Sequence, residues 1–187
     1  LDTSNTALIL CGDVPLIKSG ELNKLIETAA LNQLALLTTE LDDPTGYGRI
    51  IRDTEGSVCK IVEHRDCDDS QRATREINTG FMALPVSMLS SALSKLENNN
   101  DQQEYYLTDV IKLAKAQGDS VTGICTNDFS SVLGVNSRSD LAQCEKHYQM
   151  RRAQTYMDAG VSIIDPARVT FRGSVSIEPD CSLDINT

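Results

Sequence analysis

The 187-residue chain predicts an α/β fold, and three observations carry that expectation. Hydrophobic residues make up 40% of it and charged residues 24%, enough apolar matter for a packed core at an ordinary globular charge density. A short apolar run, an amphipathic pattern and a second apolar run open the chain in that order, which is the strand–helix–strand unit of a three-layer α/β body. No stretch approaches the about 20 consecutive apolar residues needed to cross a bilayer, so a soluble protein without a membrane partner is expected.

The elements follow in order. Residues 7–11 are continuously apolar and stop at Gly12-Asp13-Val14-Pro15, which reads as a buried strand of a parallel sheet. Pro15 cannot donate to a ladder, so the strand ends before it. Leu22, Leu25, Ile26 and Ala29 repeat at helical spacing and predict a helix over about 19–32. Residues 34–39 form the second apolar run. The loop 42–48 is marked by Pro44, Gly46 and Gly48, and 49–53 with 57–63 predict a hairpin across Thr54-Glu55-Gly56. Residues 64–75 are a polar excursion, and 76–84 predict another strand closed by Pro85.

Helical spacing returns at Leu89, Ala92, Leu93 and Leu96, ended by a polar turn over 98–101, and again at Leu107, Val110, Ile111 and Ala114, stopping near Gly118. Residues 121–125 predict a strand. Ser139-Asp140 are placed to cap a long helix running to about 159, with Gly160 at its C-terminus and a thin stripe of Leu141, Cys144, Tyr148 and Met157. Beyond it, Ile177 and Leu183 stand six residues apart, a spacing that suits a hexapeptide β-helix and an ordinary hairpin equally.

The formal charge of −10 argues against nucleic acid as a partner, since phosphate backbones demand a basic face. A phosphorylated small substrate stays open, because a divalent cation supplies positive charge locally. The six cysteines form no C-x-x-C pair; in a chain with an adequate core they predict buried free thiols and a cytoplasmic setting. His64 and His147 are too few and too far apart for a histidine zinc site. The N-terminus has neither an initiating Met nor a basic n-region, which points to a piece of a longer protein.

Five places carry candidate chemistry. Asp13, with Gly12 beside it, follows the carboxyl end of the first strand, the edge where open α/β sheets bind ligands; a turn aspartate is the competing reading. Gly48, in Asp43-Pro44-Thr45-Gly46-Tyr47-Gly48, leaves room for a sugar ring or simply serves a flexible turn. Glu63 ends a strand and can accept hydrogen bonds from hydroxyls. Asn78, in Glu76-Ile77-Asn78-Thr79-Gly80, can donate and accept, or can face solvent. Asn136, in Gly134-Val135-Asn136, is an oxygen ligand or a turn residue.

Taken together, Cys11-Gly12-Asp13-Val14-Pro15-Leu16, Asp42-Asp43-Pro44-Thr45-Gly46-Tyr47-Gly48-Arg49-Ile50, Ile61-Val62-Glu63-His64, Glu76-Ile77-Asn78-Thr79-Gly80, Glu104-Tyr105-Tyr106-Leu107-Thr108-Asp109 and Gly134-Val135-Asn136 resemble the bacterial N-acetylglucosamine-1-phosphate uridyltransferases. These are bifunctional enzymes that also acetylate glucosamine 1-phosphate. The resemblance implies part of a Rossmann-like nucleotidyltransferase domain over 1–138, a linking helix over 139–159, and the start of a left-handed parallel β-helix over 160–187. It implies transfer of uridylate from UTP to N-acetylglucosamine 1-phosphate, giving UDP-N-acetylglucosamine and pyrophosphate, with Mg²⁺ as cofactor. Acetyl-CoA, glucosamine 1-phosphate and a homotrimer belong to the parent. By the same resemblance Asp13 and Asn136 hold the metal, Gly48, Glu63 and Asn78 line the sugar pocket, and Cys11 and Gly12 lie against the nucleotide sugar.

The family's Gly-rich phosphate loop and uracil-reading segment have no counterpart in these residues, and Cys11 stands where a tyrosine is common. The chain is therefore expected to be an excised piece with negligible turnover by itself. Two alternatives remain: a pyrophosphorylase for another hexose 1-phosphate, and a non-catalytic sugar-nucleotide binding or assembly module.

Overall fold

The structure, a computed structural model, describes residues 2, 4–98 and 103–185. Apart from Asn98, the expected turn at 98–101 lies outside the described residues. The chain divides into two compact units, one of Leu1–Gly12 with Ile17–Val132, the other of Asp13–Leu16 with Leu133–Thr187.

The first unit is built on a six-stranded mixed sheet. Its strands are β1 (Thr6–Ile9), β2 (Leu34–Glu40), β3 (Arg49–Arg52), β4 (Val58–Val62), β5 (Glu76–Pro85) and β6 (Val121–Thr126), ordered β4-β3-β5-β2-β6 with β1 also on β5. The helices are α1 (Ser19–Ala29), α2 (Asp69–Arg72), α3 (Val86–Leu93) and α4 (Asp109–Ala116). β2 carries six buried residues in a row because strands flank it on both sides and helices cover both faces. Leu34, Leu36, Met82 and Leu84 point to one face and join Val110, Ile111 and Ala114 of α4 and Met88 and Ala92 of α3. The alternate residues Ala35, Leu37 and Ala83 point to the other, where α1 brings Leu25 and Ala29 to β2 and β5. The expected three-layer arrangement is thus present.

The first strand departs from expectation. It spans Thr6–Ile9, is only half-buried and pairs antiparallel with β5 in the register Thr6↔Pro85 to Ile9↔Met82. β1 and β2 flank β5 on opposite sides, so they run the same way without touching. Among the described residues the one parallel pairing in this sheet is β2 with β6, from Leu34↔Val121 to Thr39↔Thr126. The apolar run of residues 7–11 reflects packing against helices and β5, not burial between two parallel neighbours.

β5 is irregular in a useful way. Leu36 pairs with Met82 and Thr38 with Asn78, so the single residue Leu37 faces Thr79, Gly80 and Phe81. The Thr79 hydroxyl donates to the Leu37 carbonyl at 2.7 Å, tying the two strands together across the bulge. Gly80 sits at φ +85°, and a Cβ there would collide with the Cys11 sulfur, so only glycine fits.

A polar cluster crosses the same unit. Glu76 accepts from Arg52 Nε and Nη2, each at 2.7 Å, and from the Thr38 hydroxyl at 2.7 Å. Burial opposes the Glu76 charge most strongly, but the Arg52 and Thr38 hydrogen bonds and the Arg52 charge together hold its carboxyl below the usual range.

The second unit centres on α5 (Arg138–Asp158). Its N-cap is Ser137, not the expected Ser139: Ser137 has the extended backbone of a cap (φ −136°, ψ 167°), and Asp140 is the third residue of a reciprocal capping box. The Ser137 hydroxyl, first, and the Asn136 N–H hold the Asp140 carboxyl below its ordinary value. At the other end Gly160 takes φ +94° and donates to the Met157 carbonyl at 3.0 Å, as its position predicted. The buried residues of α5 are Cys144 and Ala153, whereas Leu141 and Tyr148 of the expected stripe are exposed. After the helix, β7 (Ser162–Ile163) and β8 (Ser182–Leu183) pair in parallel. A small core of Ala153, Val169 and Phe171 takes in Tyr156, Ile163, Ile177 and Leu183.

Helix boundaries moved where turn chemistry decides them. α1 ends at Ala29, α3 starts directly after Pro85 and excludes Leu96, and α4 begins after Leu107. All six cysteines are free, but only Cys67 and Cys144 are buried; Cys125 and Cys181 are exposed. Among the described residues no helix is long and apolar enough to cross a membrane.

Candidate functional site

In the first unit, three of the expected sugar-site residues meet at one junction. Gly48 is buried directly before β3, and its carbonyl accepts the Asn78 N–H at 2.8 Å, a bond that ties the loop to β5. A Cβ on Gly48 would stand 2.9 Å from Ile61 Cγ2 and 3.3 Å from Glu63 Oε2. The glycine is therefore required for the close approach of β4 and its terminal glutamate.

Glu63 follows β4 and precedes a 3-10 turn (His64–Asp66), for which it makes no side-chain cap. Its Oε1 accepts the Thr108 hydroxyl at 3.1 Å. Asn78 is half-buried on β5, with Oδ1 accepting the Gly80 N–H at 3.1 Å, so the bulge fixes its amide. Cys11 is half-buried against Gly80 and approaches the Thr79 carbonyl at 3.9 Å. Gly12 is exposed, and a Cβ there would meet nothing within 4 Å.

Arg49 anchors this junction from below. It is 1% exposed, donates to the Tyr47 carbonyl and lies 3.3 Å from His64 Nδ1. Its Nε has no partner among the described residues. A guanidinium has no lone pair to offer, so that contact requires the His64 tautomer with its proton on Nε2. A cleft of about 640 Å³ opens beside the junction, lined by Glu63, Thr108 and Tyr106 with Lys60, Lys95 and Lys112 among others. Desolvation and then the charges of Asp66, Glu104 and Glu63 push the Tyr106 phenol up.

In the second unit, Asp13 and Asn136 come together across 123 residues of sequence. The Val135 N–H donates to the Asp13 carbonyl at 2.9 Å. A Cβ on Gly134 would lie 3.6 Å from both Asp13 Oδ2 and Asn136 Nδ2, so both side chains face this glycine. Both are exposed, and the Asn136 N–H is held by Asp140 Oδ2 at 3.0 Å at the start of α5. A half-turn of the Asn136 amide presents Oδ1 in place of Nδ2. The pair then offers one carboxylate and one amide oxygen, a donor set that suits a hard cation retaining its own waters. Among the described residues no cluster of three or more His, Cys, Asp or Glu side chains forms a self-sufficient metal cage.

Sequence reasoning left Thr79, Gly80, Thr108 and Gly134 without roles. Gly80 carried a signal, since an isolated glycine within a strand pattern marks a bulge. Thr108 carried none beyond its motif, because its partner is 45 residues away.

The chain is 48% identical over 184 residues to the Bifunctional protein GlmU of Pseudomonas fluorescens and 50% identical to that of Pseudomonas syringae pv. tomato; each match covers 98% of this chain and 40% of the relative. It is 49% identical over 181 residues to the Bifunctional protein GlmU of Cellvibrio japonicus, covering 97% of this chain and 40% of that relative. The chain thus spans about two-fifths of the length of these curated relatives. Residues 1–160 match the family described as nucleotidyl transferase, and the chain belongs to that family.

Proposed function

We propose that the chain supplies the sugar-phosphate and metal ligands of an enzyme that transfers uridylate from UTP to N-acetylglucosamine 1-phosphate, forming UDP-N-acetylglucosamine and pyrophosphate. The observation that carries this reading is the junction of Gly48, Glu63 and Asn78, locked by a 2.8 Å backbone bond and a 3.3 Å approach. A pyranose presents hydroxyls that both donate and accept. A fixed carboxylate accepts from two of them, and an amide both donates and accepts.

Asp13 and Asn136 are the proposed ligands of Mg²⁺, which takes one or two protein oxygens and leaves its other positions to water and substrate phosphates. When bound, the ion offsets phosphate charge as pyrophosphate departs. The protein's own contribution is positioning: Glu63 and Asn78 orient the sugar so that its phosphate oxygen attacks the α-phosphorus in line. No protein nucleophile enters, because the sugar phosphate itself forms the new bond.

We further read β7 and β8 as the opening of a left-handed β-helix reached through α5. Ile177 and Leu183, and Phe171 before them, recur at six-residue spacing and pack in one core, which supports that reading. Acetyl transfer from acetyl-CoA to glucosamine 1-phosphate and a homotrimeric assembly belong to the whole protein.

Calorimetric titration of the chain with N-acetylglucosamine 1-phosphate, with and without Mg²⁺, tests the proposal. Binding is expected to strengthen with Mg²⁺ and to exceed that of glucose 1-phosphate. Asp13→Asn should remove the Mg²⁺ dependence, and Glu63→Gln should weaken the sugar phosphate about tenfold. Equal affinity for glucose 1-phosphate would reassign the sugar, and binding indifferent to Glu63→Gln would refute the site.

A further inference from the structure

We infer that Thr108 is a positioning residue for Glu63, holding one carboxylate oxygen so that the other is presented beside Gly48. The inference rests on the proposed role of Glu63 as a sugar ligand. The Thr108 hydroxyl donates to Glu63 Oε1 at 3.1 Å, while Oε2 is the oxygen that lies 3.3 Å from the Cβ position of Gly48. One oxygen thus has a fixed support, and the other stands beside Gly48.

Both side chains forgo the local bonds their positions offer. Thr108 is the N-cap residue of α4, where a threonine hydroxyl ordinarily accepts an N–H of the first turn. Here its backbone is helical (φ −62°, ψ −20°) and its side chain makes no cap bond. Glu63 stands at the N-cap of the 3-10 turn and likewise makes no cap bond. The hydroxyl and the carboxylate are turned toward each other instead, in a charge-assisted hydrogen bond between half-buried groups.

The support itself is rigid. Val110, Ile111 and Ala114 of α4 are fully buried in the cluster that also holds Val58 and Ile61 of β4. Thr108 therefore stands at the head of a helix already packed against the strand that carries Glu63. The carboxylate also gains from the positive end of that helix. A free glutamate loses much rotamer entropy when a ligand fixes it, and one held beforehand loses less. Thr108 and Glu63 both line the cleft beside the junction, so the pair borders open space.

Two measurements on the 187-residue chain decide the matter. In the ligand-free chain, ¹³C side-chain relaxation should report an ordered Glu63 in the wild type and in Thr108→Ser, and a mobile one in Thr108→Val. Thr108→Ala provides a second hydroxyl-free variant if the valine packs poorly. In titrations with N-acetylglucosamine 1-phosphate and Mg²⁺, Thr108→Val should bind about fivefold more weakly and Thr108→Ser within about twofold of wild type. On a Glu63→Gln background the Thr108→Val change should cost much less, as a double-mutant cycle requires of coupled groups. Unchanged Glu63 order in both hydroxyl-free variants, or an equal loss on the Glu63→Gln background, would overturn the inference. A wild type that ignores the sugar phosphate would instead refute the proposed function, and the relaxation measurement would still decide whether Thr108 fixes Glu63.

Discussion

The sheet unit and the helical unit hold themselves together by different means. In the first, strands satisfy one another's backbone groups, and a cluster of fully buried aliphatics such as Leu34, Leu36, Leu84 and Ile111 supplies the driving force. In the second, the only ladder among the described residues is the two-residue pairing of β7 with β8, and side chains of α5 take over the bonding of the loop that follows. Gln149 donates to the Phe171 carbonyl at 3.1 Å and accepts its N–H at 2.7 Å, imitating a strand neighbour. Arg152 donates to the carbonyls of Phe171 and Gly173, and the Tyr156 hydroxyl to that of Val175 at 2.6 Å. Polar side chains can thus replace a missing strand, at the cost of concentrating stability in a few directional contacts.

That contrast can be broken most directly at Phe81, which is fully buried in the sheet unit. Phe81→Ala should cost about 3–5 kcal/mol in urea unfolding. A larger loss from Phe171→Ala in the helical unit would erase the distinction between an aliphatic core and a bonded loop.

Glu76→Gln should cost less, about 2 kcal/mol, because it weakens hydrogen bonds to a mostly buried charged acceptor. Its pH dependence has a definite sign. The folded carboxyl lies below its ordinary value of 4.5, so the stabilisation is complete above that pH and is lost as pH falls through the folded value. The urea midpoint of the wild type should therefore fall more steeply below pH 4.5 than that of Glu76→Gln.

The smallest effect is the most local. Arg152→Met keeps the stem but removes two backbone hydrogen bonds and the guanidinium stacked 5.2 Å over the Phe171 ring. About 1.5 kcal/mol should be lost. Amide exchange should quicken around residues 171–175 while the amides of β2 and β5 keep their protection; equal acceleration in both places would deny the helical unit its separate bonding scheme.

Element positions were legible where patterning and punctuation coincide. The run of residues 34–39 became Leu34–Glu40, and the hairpin at Thr54-Glu55-Gly56 formed between Arg49–Arg52 and Val58–Val62. Pairing was not legible in the same way. An apolar run such as residues 7–11 says that a strand is covered, but not which neighbour it has or in which direction that neighbour runs.

The site divides along the same line. Gly48, Glu63, Asn78, Asp13 and Asn136 each lay in a recognisable motif, whereas the bonds that fix them are long-range: Asn78 to Gly48, Thr108 to Glu63 and Val135 to Asp13. Ser137 and Ser139 are both serines near Asp140, and only the extended backbone of Ser137 marks it as the helix cap.

The bulge in β5 works as an expansion joint. It separates a half that carries Glu76 and Asn78 from a half, Met82 to Pro85, committed to the β1 pairing and the aliphatic interior. Because side-chain facing inverts with each residue of slip, the spare length at Thr79, Gly80 and Phe81 sets the orientation of the outer half independently of the packing half. Substitutions can therefore accumulate at the outer end of this strand without forcing the interior to be rebuilt.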